Sequence, residues 1–236
     1  GRPSTVYMLP VLEKLDSEVM AELNLEQRML GYLEQKKGEM AGVSCEVSVA
    51  HGQAASEILA RAEAADLVLM ARRGGSGIGR WLLGGVTTKV ARACPTPVLV
   101  VPASQAGQPK LETIMACVDG SDHARKALEK AVELARAVGT KIILYRYVPL
   151  VYSTSNPEAD MQEARDYVGR LEQIHPDLVA RSIVRQTDGR SFIVDTSDEE
   201  DVDLVVMGSA GLRGVALWLL GSVAEDALHH SSRPIM

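Results

Sequence analysis

Two rhythms of apolar and polar positions alternate through the C-terminal half of the chain. Residues 111–118 form a near-continuous apolar run followed by turn residues, which predicts a strand buried on both faces. Over 122–138 the apolar residues Ala124, Leu128, Ala131, Ala135 and Val138 recur at helical spacing, and Gly139 supplies a C-terminal stop. A second strand follows over 141–148, ended by Pro149, and then a helix over 157–174, stopped before Pro176. Strands over 178–186 and 203–207, a helix over 215–229 and the start of a last strand at Ile235 and Met236 complete the series. Strands alternating with helices imply parallel βαβ units with right-handed crossovers, an α/β class. Such sheets bind ligands beyond the carboxyl ends of their strands, at the point where strand order reverses. That directs attention to the residues just after Val118 and just after Met207.

The N-terminal half carries the same rhythm in shorter form. It predicts a helix over 11–37 with apolar positions Leu12, Leu15, Val19, Leu23, Leu30 and Leu33. Strand 43–50, helix 54–64, strand 67–71, helix 80–93 and strand 97–101 follow. The halves are copies. Asp66-Leu67-Val68-Leu69-Met70 recurs as Asp203-Leu204-Val205-Val206-Met207. At the same offset Trp81-Leu82-Leu83-Gly84 recurs as Trp218-Leu219-Leu220-Gly221, and Pro97 as Pro234. The chain thus reads as a first domain over 1–103 and a second over 111–236, joined by a connection over 102–110. Nothing in the first copy matches 111–148, so it is expected to lack its first strand, first helix and second strand. The second copy is expected to stop inside its last strand, and the sequence to omit native residues at both ends.

Composition narrows the function classes. The chain has 236 residues, 46% apolar and 24% charged, an ordinary globular balance. Aromatics are only 4%, so Val, Ile, Leu and Ala must fill the core. The net charge is −6, and Lys36-Lys37 and Arg72-Arg73 are the tight basic pairs, which argues against a nucleic-acid face. No apolar run approaches the roughly 20 residues of a membrane helix. The opening residues lack the apolar stretch of a signal peptide, so the cytoplasm is expected. Cys45, Cys94 and Cys117 are far apart and form no C-x-x-C pair, so they read as free thiols in a reducing compartment.

Chemistry concentrates after strand 203–207. Gly208-Ser209-Ala210-Gly211, nine residues and then Gly221-Ser222 give the pattern G-x2-G-x9-G-S. Glycines let backbone approach a ligand closely, and bare N–H groups with one hydroxyl can converge on phosphate oxygens. Asp119, ending the first strand of this copy, offers a carboxylate to ribose hydroxyls or a base. On these residues the chain resembles the universal stress protein family. Residues 114–122, reading IMACVDGSD, look like the family's opening strand, and Met207 to Ser222 look like its nucleotide loop. The resemblance covers nearly the whole chain in two copies. It implies open, mostly parallel five-stranded sheets with helices on both faces, an adenine-nucleotide alpha-hydrolase-like fold. It also implies pairing of domains through their last strands, within the chain or in a homodimer, and ATP binding in one subset of members. Carried over, Asp119 lies near the sugar or base, with Met207 and Gly208 beside it. Gly211, Gly221, Ser222 and Val223 hold the phosphates, and Tyr147 or Val148 flanks adenine. Magnesium would arrive on the nucleotide. The family often has His-Val where this chain has Arg146-Tyr147, and a tyrosine there could stack on the base or block it.

The first copy departs from this pattern. Ala71 replaces the first glycine, Gly85 replaces the serine, and no equivalent of Asp119 is found. Its loop is expected to shape the domain pair and its arginines to be solvated. Elsewhere blander readings hold. Ser121 or Asp122 caps a helix, and His229-His230 favour a helix C-terminus. Trp81 and Trp218 anchor packing, and the acidic run 195–203 is a short or shifted, solvated helix. Three functions compete: a nucleotide-binding stress or signalling module, an ATP-using enzyme of related fold, and a nucleotide-free scaffold. Val118-Asp119-Gly120-Ser121 lacks the glycine pair of ATP pyrophosphatase loops, and no catalytic residue or metal cluster is evident. The expected protein is therefore a binder with at most slow ATP hydrolysis.

Overall fold

The computed structural model describes residues 5–12, 24–40, 42–72, 84–102, 105, 111–150, 156–187, 191–209 and 220–236. The chain divides into two compact units, 1–66 and 67–236. The first unit contains strands β1 (Thr5–Met8), β2 (Val11–Leu12), β3 (Ser44–Val47) and β4 (Ala50–His51), with helices α1 (Leu25–Glu39) and α2 (Ala54–Ala62). β1 pairs parallel with β3 from Thr5↔Ser44 to Met8↔Val47, and β2 pairs parallel with β4. Two expectations are corrected here. The helix expected over 11–37 begins only at Leu25, and Val11 and Leu12 belong to a strand. The second strand expected to be missing is present as β1 and β2, with Pro10 between them where Pro149 ends its counterpart. Residues 13–23 of that expected helix lie outside the described residues.

The second unit opens with β5 (Val68–Ala71), α3 (Gly85–Ala93) and β6 (Val98–Val101), the two strands pairing in parallel. It continues with β7 (Thr113–Cys117), α4 (Asp122–Val138), β8 (Lys141–Pro149), α5 (Pro157–Ile174) and β9 (Val179–Thr187). α6 (Phe192–Glu199), β10 (Leu204–Val206) and α7 (Ser222–His230) complete it. The expected helices 122–138 and 157–174 coincide with α4 and α5. Their ends have local causes. Ala124 N–H donates to Ser121 Oγ at 3.1 Å, and Gly139 closes α4 at φ 75°. Ala159 N–H donates to Asn156 Oδ1, with Pro157 at the first helical position.

β10, β7, β8 and β9 form one parallel sheet in that order, so the chain crosses from one side of β7 to the other. Beyond β10, Ile235 bridges Val205 in parallel and Val100 of β6 antiparallel. The expected five-stranded sheet is thus four strands plus this single bridge. The first repeat gives two-stranded ladders, because no described strand of it takes the place of β7 between β10 and β8. Alternation along the strands separates two cores. Ile114, Ala116, Ile142, Leu144, Leu204 and Val206 face Leu128, Ala131 and Val132 of α4 and Val168 of α5. Met115, Ile143, Tyr145 and Val205 face Phe192 and Ile193 of α6 and Ala227 and Leu228 of α7. Full burial on both faces explains why these strands read as unbroken apolar runs.

Candidate functional site

The carboxyl ends of β7 and β10 are adjacent in the sheet, one on each side of the order reversal. β7 ends into Val118 and Asp119. Asp119 Oδ1 accepts from Ser121 N–H at 2.8 Å, and Gly120 takes φ 89° to make that turn. The next hydroxyl, Ser121, caps α4. The aspartate is therefore held by backbone at the foot of a helix. Its carboxylate and, more strongly, burial push the Cys117 thiol up to about 12.

β10 ends into Met207, Gly208 and Ser209. A side chain on Gly208 would meet Ala124 N and His123 C, each at 2.9 Å from its Cβ. This glycine is required by the close approach of the strand end to α4, a packing role that the motif reading did not supply. Gly221 N–H donates to Ser209 O at 2.7 Å, tying together the two ends of the loop between them. The first repeat repeats this closure, with Gly84 N–H donating to Arg72 O at 3.0 Å. Gly221 then stands at the N-cap of α7, and Ser222 and Val223 open its first turn. The amides at a helix start lack intrahelical acceptors, and the helix dipole favours negative charge there. Gly211, Arg213, Trp218, Trp81 and Arg73 lie outside the described residues.

The β8 candidates diverge. Tyr147 lies on the α6 side, its ring centroid 4.2 Å from that of Phe192. Val148 is buried. Tyr147 thus packs against a core phenylalanine. Arg146, one residue earlier and on the opposite face, reaches the neighbourhood of Asp119: its Nη1 is 3.8 Å from where a Gly120 Cβ would stand. Sequence reasoning noted Arg146 only as a departure, although strand alternation already separates it from Tyr147. A cavity of about 400 Å³ is lined by Cys94, Val98, Lys126, Met207, Gly208 and Leu220 among others. Met207 and Gly208 line it, but Asp119, Gly221 and Ser222 do not.

The remaining motifs resolve into structure. Arg72 donates to the carbonyls of Ser231 at 2.5 Å and His229 at 3.3 Å, capping the end of α7 rather than lying solvated. His229 and His230 occupy the last turn of α7. The acidic helix is short, as expected, but buries Phe192, Ile193, Val194, Thr196 and Ser197. Its acids turn outward to arginines: Glu199 to Arg185, Glu200 to Arg181 and Asp198 to Arg233. Among the described residues no group of His, Cys, Asp and Glu could hold a metal ion, and no helix is long and apolar enough to cross a membrane.

Comparison with known proteins gives this geometry its context. The model of the universal stress protein family matches residues 2–102 and again 110–236. A universal stress protein of Mycolicibacterium smegmatis is 23% identical over 99% of this chain and 81% of its own length. One from Mycobacterium tuberculosis is 27% identical over 73% of this chain, which spans 61% of that relative. The fold matches the crystal structure of a universal stress protein from Archaeoglobus fulgidus, with a TM-score of 0.75 and 22% identity, over 98% of this chain and 86% of that one. With the family model matched twice in succession, the chain belongs to the universal stress protein family and carries two repeats of its domain.

Proposed function

We propose that this protein is a nucleotide-binding stress or signalling module that holds one ATP in its second repeat. The observation that carries the reading is the juxtaposition of Asp119 after β7 with the closed loop and helix start after β10. There the Gly221–Ser209 bond closes the loop and brings the amides of Ser222 and Val223, at the start of α7, to the carboxyl edge of the sheet. In this reading Asp119 takes the sugar or base. Met207, Gly208 and Gly211 border the nucleotide, and the start of α7 holds the phosphates. Val148 and Tyr147 support the site from within β8. Magnesium enters with the phosphates, bound mainly by their oxygens and by water.

The first repeat is read as a non-binder: Ala71 and Gly85 replace the key residues, and Arg72 is engaged on the carbonyls of α7. Turnover is read as slow, because fast phosphoryl transfer needs an oriented water and a protein-held metal. The two repeats are read as paired through their last strands, supported by the Val100–Ile235 bonds at 2.8 and 3.0 Å. The free thiols Cys45, Cys94 and Cys117 support a cytoplasmic setting. Calorimetry with magnesium and ATP should report one site per chain. Gly221→Val should abolish it, and Ser222→Ala should weaken it by about 1 kcal/mol. Two equal sites would contradict the asymmetry, and no binding would favour a nucleotide-free scaffold. A turnover near about 10 per second, lost in Gly221→Val, would make the protein an enzyme.

A further inference from the structure

Side chains of β8 alternate across the sheet. Tyr145 and Tyr147 pack toward α6, while Leu144 packs toward α4 and α5, and Arg146 shares its side. The Arg146 guanidinium lies over the ring of Tyr167 on α5, its Cζ 4.9 Å from the ring centroid. Its Nε and Nη1 are buried and make no hydrogen bond. A strand arginine would ordinarily carry its head into water. This one is turned inward, beside Gly120 and the Asp119 turn, with N–H groups that have no acceptor. Asp119 belongs to the same neighbourhood. Burial raises the Tyr167 hydroxyl most, Arg146 lowers it and Asp119 raises it, so both charges act on one ring.

Buried donors without partners are unfavourable, and native proteins rarely leave them so without a reason. A ligand relieves them if it brings acceptors to Arg146 and donors to Asp119. A bare phosphate satisfies the arginine but sets its charge against the carboxylate. A purine base carries both kinds of group in one plane. We infer that Arg146 and Asp119 together read the base of the bound nucleotide, and that the base they select is a 6-oxopurine, guanine or hypoxanthine, in preference to adenine. O6 and N7 of such a base are adjacent acceptors, the pair that arginine recognises. N1–H, and in guanine the 2-amino group, are donors for Asp119. Adenine presents its 6-amino donor to the arginine and an unprotonated N1 to the carboxylate, so both contacts are mismatched. A site built on buried hydrogen-bonding groups discriminates strongly against the ligand that leaves them unpaired.

The inference rests on the nucleotide-binding reading and changes only which base is preferred; ATP remains a weaker ligand. The test is calorimetric binding of GTP, ITP and ATP, each with magnesium, to the full chain and to Arg146→Met and Arg146→Lys. GTP and ITP should each bind at least about ten-fold more tightly than ATP, the scale of one good bidentate contact. Arg146→Met should bring all three within about three-fold of one another. Arg146→Lys keeps the charge but not the planar fork, and should lose most of the preference. ATP binding as tightly as GTP to the native chain overturns the inference and leaves the nucleotide reading intact. A GTP preference that survives in a folded Arg146→Met, checked by circular dichroism, removes Arg146 from the role. No binding of any nucleotide overturns both readings. The native ranking requires no variant to fold.

Discussion

Cys117 is the last residue of β7, and its surroundings disfavour its charged form. The Cys117 side chain is partly buried, and its desolvation, with the Asp119 carboxylate close by, disfavours a thiolate. With its pKa raised from 9.0 to about 12, the folded chain keeps a proton that the unfolded chain gives up. The sign follows: stability from this group is complete below about pH 9 and falls as pH rises toward about 12. The slope is at most about 1.4 kcal/mol per pH unit. Urea unfolding at a series of alkaline pH values should show a limb shallower by up to that amount in Cys117→Ala. Equal slopes would show that the thiol ionises in the folded state as readily as in the unfolded one. Ser121 was legible in the sequence because cap residues act through neighbours along the chain. Tyr147 was not, because its partner Phe192 is distant in sequence. Gly208 was legible as a necessary glycine but not for its reason, since the backbone it approaches belongs to α4.

That approach belongs to the scale of elements. The end of β10 meets the first turn of α4 so closely that any Cβ at position 208 must push helix backbone at His123 and Ala124. Backbone cannot rotate away as a side-chain tip can, so Gly208→Ala should cost about 1–3 kcal/mol, the range of overpacked sites. Gly221, at φ −63° and ψ 147°, sits in a conformation open to any residue. Gly221→Ala should therefore leave the urea midpoint nearly unchanged, and equal losses in the two variants would refute the distinction. The helices α4 and α5 were readable end for end because cap, stop and periodicity agree at Ser121, Gly139, Asn156 and Pro157. β1 and β2 were missed because a leucine-rich pattern was carried back from α1 through Leu12, although Leu9-Pro10 matches Val148-Pro149 at the end of β8. The acidic helix α6 was misread by holding the repeat offset fixed. That register puts Asp195 and Glu199 inward, whereas the apolar run 192–194 takes the buried face and the acids pair with arginines.

At the scale of the molecule, the compact units do not follow the sequence repeats. β5, α3 and β6 come from the first repeat, yet they cluster with the whole of the second. The join is a strand pairing. Ile235 lies between β10 and β6, exchanging two hydrogen bonds with Val100, while Pro234 O accepts from Val205 N–H and Met236 N–H donates to Val205 O. Val100 and Ile235 are 3% and 4% exposed, so the bonds are shielded from water. An ion pair, Arg92–Glu225, also spans the join, but both partners are more than a third exposed, and such pairs contribute less than about 1 kcal/mol. If the buried pairing holds the unit together, the two kinds of contact should respond differently to substitution. Val100→Pro removes the N–H that Ile235 O accepts and leaves a buried carbonyl unpaired, a loss of at least about 2 kcal/mol. Arg92→Ala should cost less than about 1 kcal/mol. Hydrogen exchange gives the sharper reading. In Val100→Pro the amides of Val205, Met207, Ile235 and Met236 should exchange faster than in the native chain, while those of α4 stay protected. Exchange confined to β5 and β6 would mean that the first repeat's strands lean on the second without supporting it. Faster exchange of β10 in Arg92→Ala but not in Val100→Pro would assign the join to the ion pair instead.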